Sequence, residues 1–199
     1  MFTGIIQDVG RVVSVDKGGD WTAIIETKLS LAQTALGASI ACDGVCLTVV
    51  EKTDTTFTVQ ISGETLSKTN LIRWQSGTRI NLESALRFGD ELGGHLLSGH
   101  VDGVARVVHR TPVDDSIRFV FDVPLAFERF LAPKGSITIN GVSLTVNGVE
   151  GASFDVNIIP HTQGQTTLAG LAEGDEVNFE IDMIARYLER LLRQRGFAG

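Results

Sequence analysis

Two cysteines, four prolines, two tryptophans and one tyrosine among 199 residues put several classes of protein out of reach. Cys42 and Cys46 are too few for a disulfide scaffold, and no matching His/Cys pair completes a four-ligand zinc site, so a reducing cytoplasm is expected. The scarcity of Trp and Tyr leaves few platforms on which bases of single-stranded nucleic acid would stack. A formal charge of -7 and a pI near 5.0 exclude a broad phosphate-neutralising surface. No apolar run approaches the roughly 20 residues that cross a bilayer. The MFTGIIQDVG start has neither the basic region nor the sustained apolar core of a secretory leader. There is no G-x-G-x-x-G, Walker loop, G-x-S-x-G or H-E-x-x-H. What remains is a soluble, cytoplasmic protein with no nucleic-acid or membrane partner. It is 43% hydrophobic, and its 22 glycines serve many tight turns.

The dominant feature is a repeat. SIACDGVCLTV, starting at Ser39, aligns with SITINGVSLTV, starting at Ser136, with seven of eleven positions identical. In the same alignment Phe57-Thr58-Val59-Gln60-Ile61 meets Phe154-Asp155-Val156-Asn157-Ile158, Glu64-Thr65 meets His161-Thr162, and Asn81-Leu82-Glu83 meets Asn178-Phe179-Glu180. Thr3-Gly4-Ile5-Ile6 matches Ser98-Gly99-His100-Val101 after a two-residue shift. The chain is a tandem duplication of one module.

Each copy alternates apolar and polar residues with the period of a half-buried strand, as in Thr56–Ile61 and Arg79–Glu83. Asp43-Gly44 and Asn140-Gly141 sit between such runs and supply the positive φ angles of type I′ hairpin turns. About six short strands per copy predict an all-β fold of two small closed, Greek-key-like barrels. A two-residue turn would pair Cys42 with Val45 rather than with Cys46. Short helices are expected over 66–71 and 165–171, and the boundary between copies falls near 85–95. The resulting division is 1–92, 93–182 and a tail, 183–199. MIARYLERLLRQR in the tail reads as an amphipathic helix with Ile184, Leu188 and Leu191 on one face and Gly196 as its stop. Having no counterpart in the first copy, it is expected to pack against another chain.

Polar residues recur at matched places, the mark of a duplicated ligand pocket. Cys46/Ser143 and Thr48/Thr145 follow the hairpin turns on one strand face. Both cysteines also read as small, partly buried apolar side chains, and the Thr-rich strands also suit β propensity. His95 and His100 lack the further ligands of a metal site. His100 replaces Ile5 of the first copy, which makes it the better candidate for proton transfer.

MFTGI-Q, G-CLTV, ETL–TNL, GGHLLSGHVDG, KG-I-I-GVSLTV and EIDMIARYLERLL together resemble the riboflavin synthase α-chain family, over essentially the whole length. The resemblance implies two six-stranded barrels and a homotrimer assembled through the C-terminal helices. It implies dismutation of two 6,7-dimethyl-8-ribityllumazine molecules to riboflavin and 5-amino-6-ribitylamino-uracil, without cofactor or metal. Association with lumazine synthase is left open. A first pocket of Gly4, Ile5, Ile6, Cys46, Leu47, Thr48, Gln60, Ile61, Ser62, Gly63, Glu64 and Thr65 would follow. The second would comprise Gly99, His100, Val101, Lys134, Ser143, Leu144, Thr145, Asn157, Ile158, Ile159, Pro160, His161 and Thr162. Donor and acceptor would meet between the first barrel of one subunit and the second barrel of its neighbour. His100 is assigned proton transfer, with Cys46, Ser39 and Thr145 assisting or positioning an adding hydroxyl. Phe2 and Thr3 would close the site and Asp182 would orient a partner. Asn140 stands where the family often has Asp, and His161 replaces the Glu of the Glu-Thr pair, which puts catalytic roles for both in doubt. The alternative is a non-catalytic lumazine- or flavin-binding protein with a decayed second pocket.

Overall fold

The structure, a computed structural model, describes residues 1–194; Arg195 and Gly196, expected to end the C-terminal helix, lie outside the described residues. Strands β1 (Asp8–Asp16), β2 (Trp21–Glu26), β3 (Ser39–Cys42), β4 (Val45–Lys52), β5 (Thr56–Ile61) and β6 (Arg79–Ser84) close into a barrel in the order β1-β2-β5-β4-β3-β6. The lumen holds Val12, Ile25, Ile40, Val49, Phe57, Val59 and Leu82, all fully buried, so it is a packed core with no room for a ligand.

The second copy repeats this winding with strands β7 (Gly103–Val113), β8 (Ser116–Asp122), β9 (Ser136–Ile139), β10 (Val142–Thr145), β11 (Gly148–Glu150), β12 (Ser153–Ile158) and β13 (Glu176–Ile181). It is a curled seven-stranded sheet, β10-β9-β13-β7-β8-β12-β11, rather than a closed six-stranded ring. Its two edge strands, β10 and β11, are the two halves of the strand equivalent to β4. The break falls at Val146-Asn147, and Asn147 aligns with Val50, where β4 carries a register shift against β5. A bulge that Val tolerates within a strand interrupts one when the residue is Asn, followed by Gly148. The curl survives because Lys134 N donates to Val146 O and Val146 N to Gly135 O, as Gly37 N does to Val49 O and Val49 N to Ala38 O in the first barrel. Lys134 thereby keeps a left-handed backbone, φ 67, where the first copy has Gly37 at φ 85. Stacked Phe119, Phe121 and Phe154 fill the second core.

Both hairpin turns form as expected, with φ 45 and 81 at Asp43-Gly44 and 44 and 81 at Asn140-Gly141, and Cys42 pairs with Val45. The two tips meet at the seam between the barrels. A Cβ on Gly44 would lie 2.8 Å from Gly141 N, and one on Gly141 would lie 2.8 Å from Gly44 N. Around this contact the halves exchange hydrogen bonds reciprocally. Asn81 Nδ2 donates to Asn140 O and Asn178 Nδ2 to Asp43 O, both at 2.9 Å. Asn81 N and Asn178 N donate to Asp43 Oδ1 and Asn140 Oδ1, both at 2.8 Å. Asn81 Oδ1 accepts from Thr167 N, and Asn178 Oδ1 from Asn70 N.

The short helices start earlier than the expected 66–71 and 165–171: α1 spans Gly63–Lys68 and α2 spans Pro160–Gln165, each followed by a 3-10 turn. Ser62 caps α1 by accepting from Thr65 N, and Pro160 occupies the first turn of α2, where no amide hydrogen is needed. Thr69 and Thr166 hydroxyls then turn back onto the carbonyls of Thr65 and Thr162 as each helix ends. Helix α3 (Met183–Gln194) buries none of its side chains. Arg186–Asp102 at 2.8 Å and Arg129–Glu189 at 3.1 Å tie it to the second barrel. Ile184, Tyr187, Leu188 and Leu191 are all more than half exposed.

Burial at the seam pushes the Asp43 carboxyl up to about 7, only partly opposed by the bond from Asn81 N. A carboxyl that binds its proton more tightly folded than unfolded stabilises the fold at low pH and loses that contribution as pH rises through about 7. Asn140 holds the equivalent place without a charge. Asp43→Asn is therefore expected to flatten the pH dependence of urea unfolding between pH 5 and 8, with a gain on the order of a few kcal/mol at the upper end. Equal destabilisation by Asp43→Asn at both pH values would contradict the assignment.

Candidate active site

With the lumens filled, the polar residues matched between copies lie on the outer faces. On the first barrel Ser39 pairs with Thr48 and Ala41 with Cys46, while Ile40, Cys42, Val45 and Leu47 turn inward. The second barrel repeats this with Ser136–Thr145 and Thr138–Ser143. Leu47, Ile61, Leu144 and Ile158 have buried side chains that belong to the two cores, so at these four positions only the backbone is free to meet a ligand.

The structure regroups the expected pockets. Each Gly-containing lead segment crosses the seam and serves the other copy's barrel. Gly4 O accepts from Ser143 N, and Gly99 O accepts from Cys46 N, both at 2.9 Å. Gly4–Ile6 therefore belongs with the second pocket and Gly99–Val101 with the first, the reverse of the grouping expected from chain order. Ile6 packs on the second core and Val101 on the first. Between the crossing segments Phe2 and Leu97 exchange two backbone hydrogen bonds and are buried together with Ala41. Side chains are excluded at both crossings: a Cβ on Gly4 would meet Ser143 N at 2.6 Å, and one on Gly99 would meet Cys46 Cβ at 2.7 Å.

Two carboxylates fix the crossing. Glu83, at the end of β6, accepts from Thr3 N, Thr3 Oγ1 and Gly4 N at 2.7, 2.8 and 2.9 Å. Glu180, its match on β13, accepts from Ser98 N and Gly99 N at 2.8 and 3.0 Å and from the Ser98 hydroxyl. Burial raises the Glu83 carboxyl above its usual range, and the bonds from Thr3 and Gly4 pull it back. Both glutamates were visible in the repeat, but there they read only as strand residues.

The first pocket, about 260 Å³, is lined by Val45, Cys46, Glu64, Thr65, Lys68, Thr69, Gly99, His100 and Val101. It joins a thiol, an imidazole, a carboxylate, an ammonium and two hydroxyls. Lys68, Thr69 and Val45 were not expected there. Gln60, Ser62 and Gly63 are exposed beside it, the Ser62 side chain being engaged in capping α1. In the second copy the matching positions hold Ile5 for His100, His161 for Glu64 and Gln165 for Lys68. Ile5 is 49% exposed, Ile159 53%, and Asn157, Pro160, His161 and Lys134 also face solvent, with Thr162 half-buried. Ser143 is joined there by His95, whose Nδ1 lies 2.7 Å from Ser143 Oγ and whose Nε2 lies 3.3 Å from Thr138 Oγ1. Asp182 caps α3 by accepting from Ile184 N at 2.9 Å and makes no hydrogen bond to His95 among the described residues. Among the described residues no group of His, Cys, Asp and Glu has the makings of a metal site.

Because each glutamate holds a segment that pairs with the opposite barrel, its loss should be felt across the seam. Glu83→Gln is expected to raise amide hydrogen exchange roughly tenfold or more at Thr3 and Gly4 and, through the released Gly4 carbonyl, at Ser143. Glu180→Gln should do the same at Ser98, Gly99 and Cys46. Exchange rising only in the barrel that carries the glutamate is the contrary result.

The model of the lumazine binding domain matches this chain twice, over residues 3–85 and 98–182. Riboflavin synthase of Brucella abortus (strain 2308) is 48% identical over 96% of this chain and 98% of its own length. Riboflavin synthase of Mycobacterium tuberculosis (strain ATCC 25618 / H37Rv) is 40% identical over 98% and 100%, and that of Bacillus subtilis (strain 168) is 37% identical over 98% and 91%. Among solved structures, LumP complexed with riboflavin superposes with a TM-score of 0.84 at 27% identity, covering 91% of this chain and 99% of LumP. LumP complexed with 6,7-dimethyl-8-(1'-D-ribityl) lumazine gives 0.78 at 28% identity, covering 90% and 98%. Twofold matching of the domain model, full-length relatives and a shared fold agree: the chain belongs to the lumazine-binding family, with two lumazine-binding domains in tandem.

Proposed function

We propose that this chain is a transferase with riboflavin synthase activity. It passes a four-carbon unit between two molecules of 6,7-dimethyl-8-ribityllumazine, giving riboflavin and 5-amino-6-ribitylamino-uracil. One observation carries the reading: each barrel presents an outward cradle of the same construction, and both cradles keep polar, titratable groups. A reaction between two copies of one molecule calls for two such receptacles. Two lumazines contain the atoms of both products, so the exchange balances without oxidant, reductant or cofactor. Holding the two rings in contact converts a bimolecular encounter into a unimolecular step, an effect of about 7–11 kcal/mol.

The electron-poor pteridine makes the C7 methyl acidic and C7 electrophilic, leaving the protein to supply proton transfer and orientation. His100 in the first pocket is the proton shuttle, beside Cys46. Ser39, Thr48 and Thr145 donate hydrogen bonds to ring carbonyls, ribityl hydroxyls or an adding hydroxyl. Phe2 and Thr3 hold the lead segments closed, and Asp182 sets the start of α3. The barrels, 1–92 and 93–182, supply the cradles, and residues 183–199 the assembly element. The exposed apolar face of α3 and the groove of about 910 Å³ beside it, lined by Phe130, Ala132, Leu188 and Leu192, support a homotrimer. In that assembly the first barrel of one subunit faces the second barrel of its neighbour. The protein works in the cytoplasm.

Purified protein incubated with 6,7-dimethyl-8-ribityllumazine alone is expected to yield riboflavin and 5-amino-6-ribitylamino-uracil in equal amounts, followed by absorbance and chromatography. Tight binding with no product over hours would mean an antenna protein instead. For His100→Gln, kcat is expected to fall by roughly a hundredfold, in the range of lost acid–base catalysis, with the pH profile altered between 6 and 8. Unchanged turnover across that range removes His100 from the role.

A further inference from the structure

In the alignment of the lead segments, His95 lies just outside the stretch that the two copies share. The fold sets His95 against Ser143, the match of Cys46 in the first pocket. Gly94 passes so close that a Cβ there would stand 2.1 Å from Thr3 O and 2.8 Å from Ser143 Cβ. His95 N donates to Thr3 O at 3.2 Å, which anchors the backbone to the crossing N-terminal segment. Both ring nitrogens are then engaged by hydroxyls, Nδ1 by Ser143 and Nε2 by Thr138. Thr138 stands where the first copy has Ala41, so the second hydroxyl has no match in the first copy. Cys46, the match of Ser143, makes no side-chain hydrogen bond to an imidazole among the described residues.

Such a pair can move a proton. With the Nε2 hydrogen directed to Thr138 Oγ1, the Nδ1 lone pair is left to accept the Ser143 hydroxyl hydrogen. The arrangement is not a Ser-His-Asp triad, because no ring nitrogen is free for Asp182. Burial holds the His95 imidazole below its usual range, with the Asp182 charge opposing, so the neutral, proton-accepting form prevails at neutral pH.

We propose that His95, acting through Ser143, is the proton acceptor of the second pocket, and that the lumazine seated there is the one deprotonated at its C7 methyl. The methyl C–H bond breaks and its proton passes to Ser143 Oγ, as the Ser143 proton passes to His95 Nδ1. The electron pair stays on the exocyclic carbon, delocalised into the pteridine, and imidazolium remains until the proton returns to product. His95 is thus a positioning and proton-holding residue, and Ser143 the group that meets the substrate. The two cradles, alike in construction, become unequal in chemistry. This rests on the riboflavin synthase reading.

The test compares wild type, His95→Asn and Ser143→Ala with 6,7-dimethyl-8-ribityllumazine as the probe. Asn carries a hydrogen-bonding group near the Nδ1 position but takes no proton. His95→Asn is expected to cut kcat by roughly a hundredfold with KM within a few-fold, and to abolish the acid limb of the kcat profile. In wild type that limb is expected below the usual histidine range, with activity lost as pH falls through it. The variant combining His95→Asn with Ser143→Ala should be no slower than the worse single variant, as expected of residues acting as one unit. Retained kcat with an unchanged acid limb in His95→Asn, in protein whose melting temperature matches wild type, overturns the proposal and leaves the activity standing. If the variant is unstable, additive losses in the combined variant overturn it instead. Wild type that makes no riboflavin overturns both.

Discussion

The position of every functional group depends on how closely the two hairpin tips approach at the seam. Gly44 and Gly141 touch backbone to backbone, with left-handed angles that only glycine adopts at little cost and no space for a Cβ on either side. The contact has polar backbone on both sides, and burying it is acceptable only if each donor and acceptor is satisfied. The reciprocal Asn81 and Asn178 bonds satisfy the Asp43 and Asn140 carbonyls beside it, each amide bridging its own hairpin to the other half. The constraint fixes separation and rotation together, and the rest of the molecule is built around that axis.

Once the axis is set, the crossing of the lead segments follows. Each segment leaves a glutamate on its own barrel and adds one backbone hydrogen bond to the strand after the other hairpin, at Cys46 or Ser143. Each pocket is thus assembled from both halves of the chain. Neither barrel alone would hold a complete cradle, so duplication here gives one interlocked unit rather than two independent modules.

Much of this could be read from residues alone. The repeat, the alternating strands, the two hairpin turns and the amphipathic tail are local signals, and local sequence specifies them. Cys42 opposite Val45 followed from turn length. The crossing could not be read, because it pairs Gly4 with Ser143 and Gly99 with Cys46, 139 and 53 residues apart, and order along the chain favours the uncrossed assignment. The broken strand at Asn147 needed the observation that the equivalent Val50 sits at a bulge. The helix starts were misplaced because the helices were expected to follow the Thr-rich segments, whereas capping by Ser62 and the initiating Pro160 start them a few residues earlier. Leu47, Ile61, Leu144 and Ile158 entered the expected pockets through the family resemblance, as parts of segments taken whole, and the structure turns their side chains into the cores. Lys68 went unnoticed because nothing local distinguishes a lysine at a pocket mouth from one on a solvated helix.

The differences between the copies are distributed in a way that bears on mechanism. Positions that hold the geometry are the same in both halves or nearly so: Gly44 and Gly141, Asn81 and Asn178, Glu83 and Glu180, Gly4 and Gly99. The titratable positions of the first pocket have diverged, Cys46 against Ser143, His100 against Ile5, Glu64 against His161 and Lys68 against Gln165, while Val45, Thr65 and Thr69 keep their matches in Val142, Thr162 and Thr166. A protein holding two identical ligands for storage has no use for that division. A reaction in which one molecule must give carbons and its twin must take them does, since two cradles of equal chemistry would favour neither direction. The shared scaffold brings identical molecules together, and the unshared side chains make them behave differently.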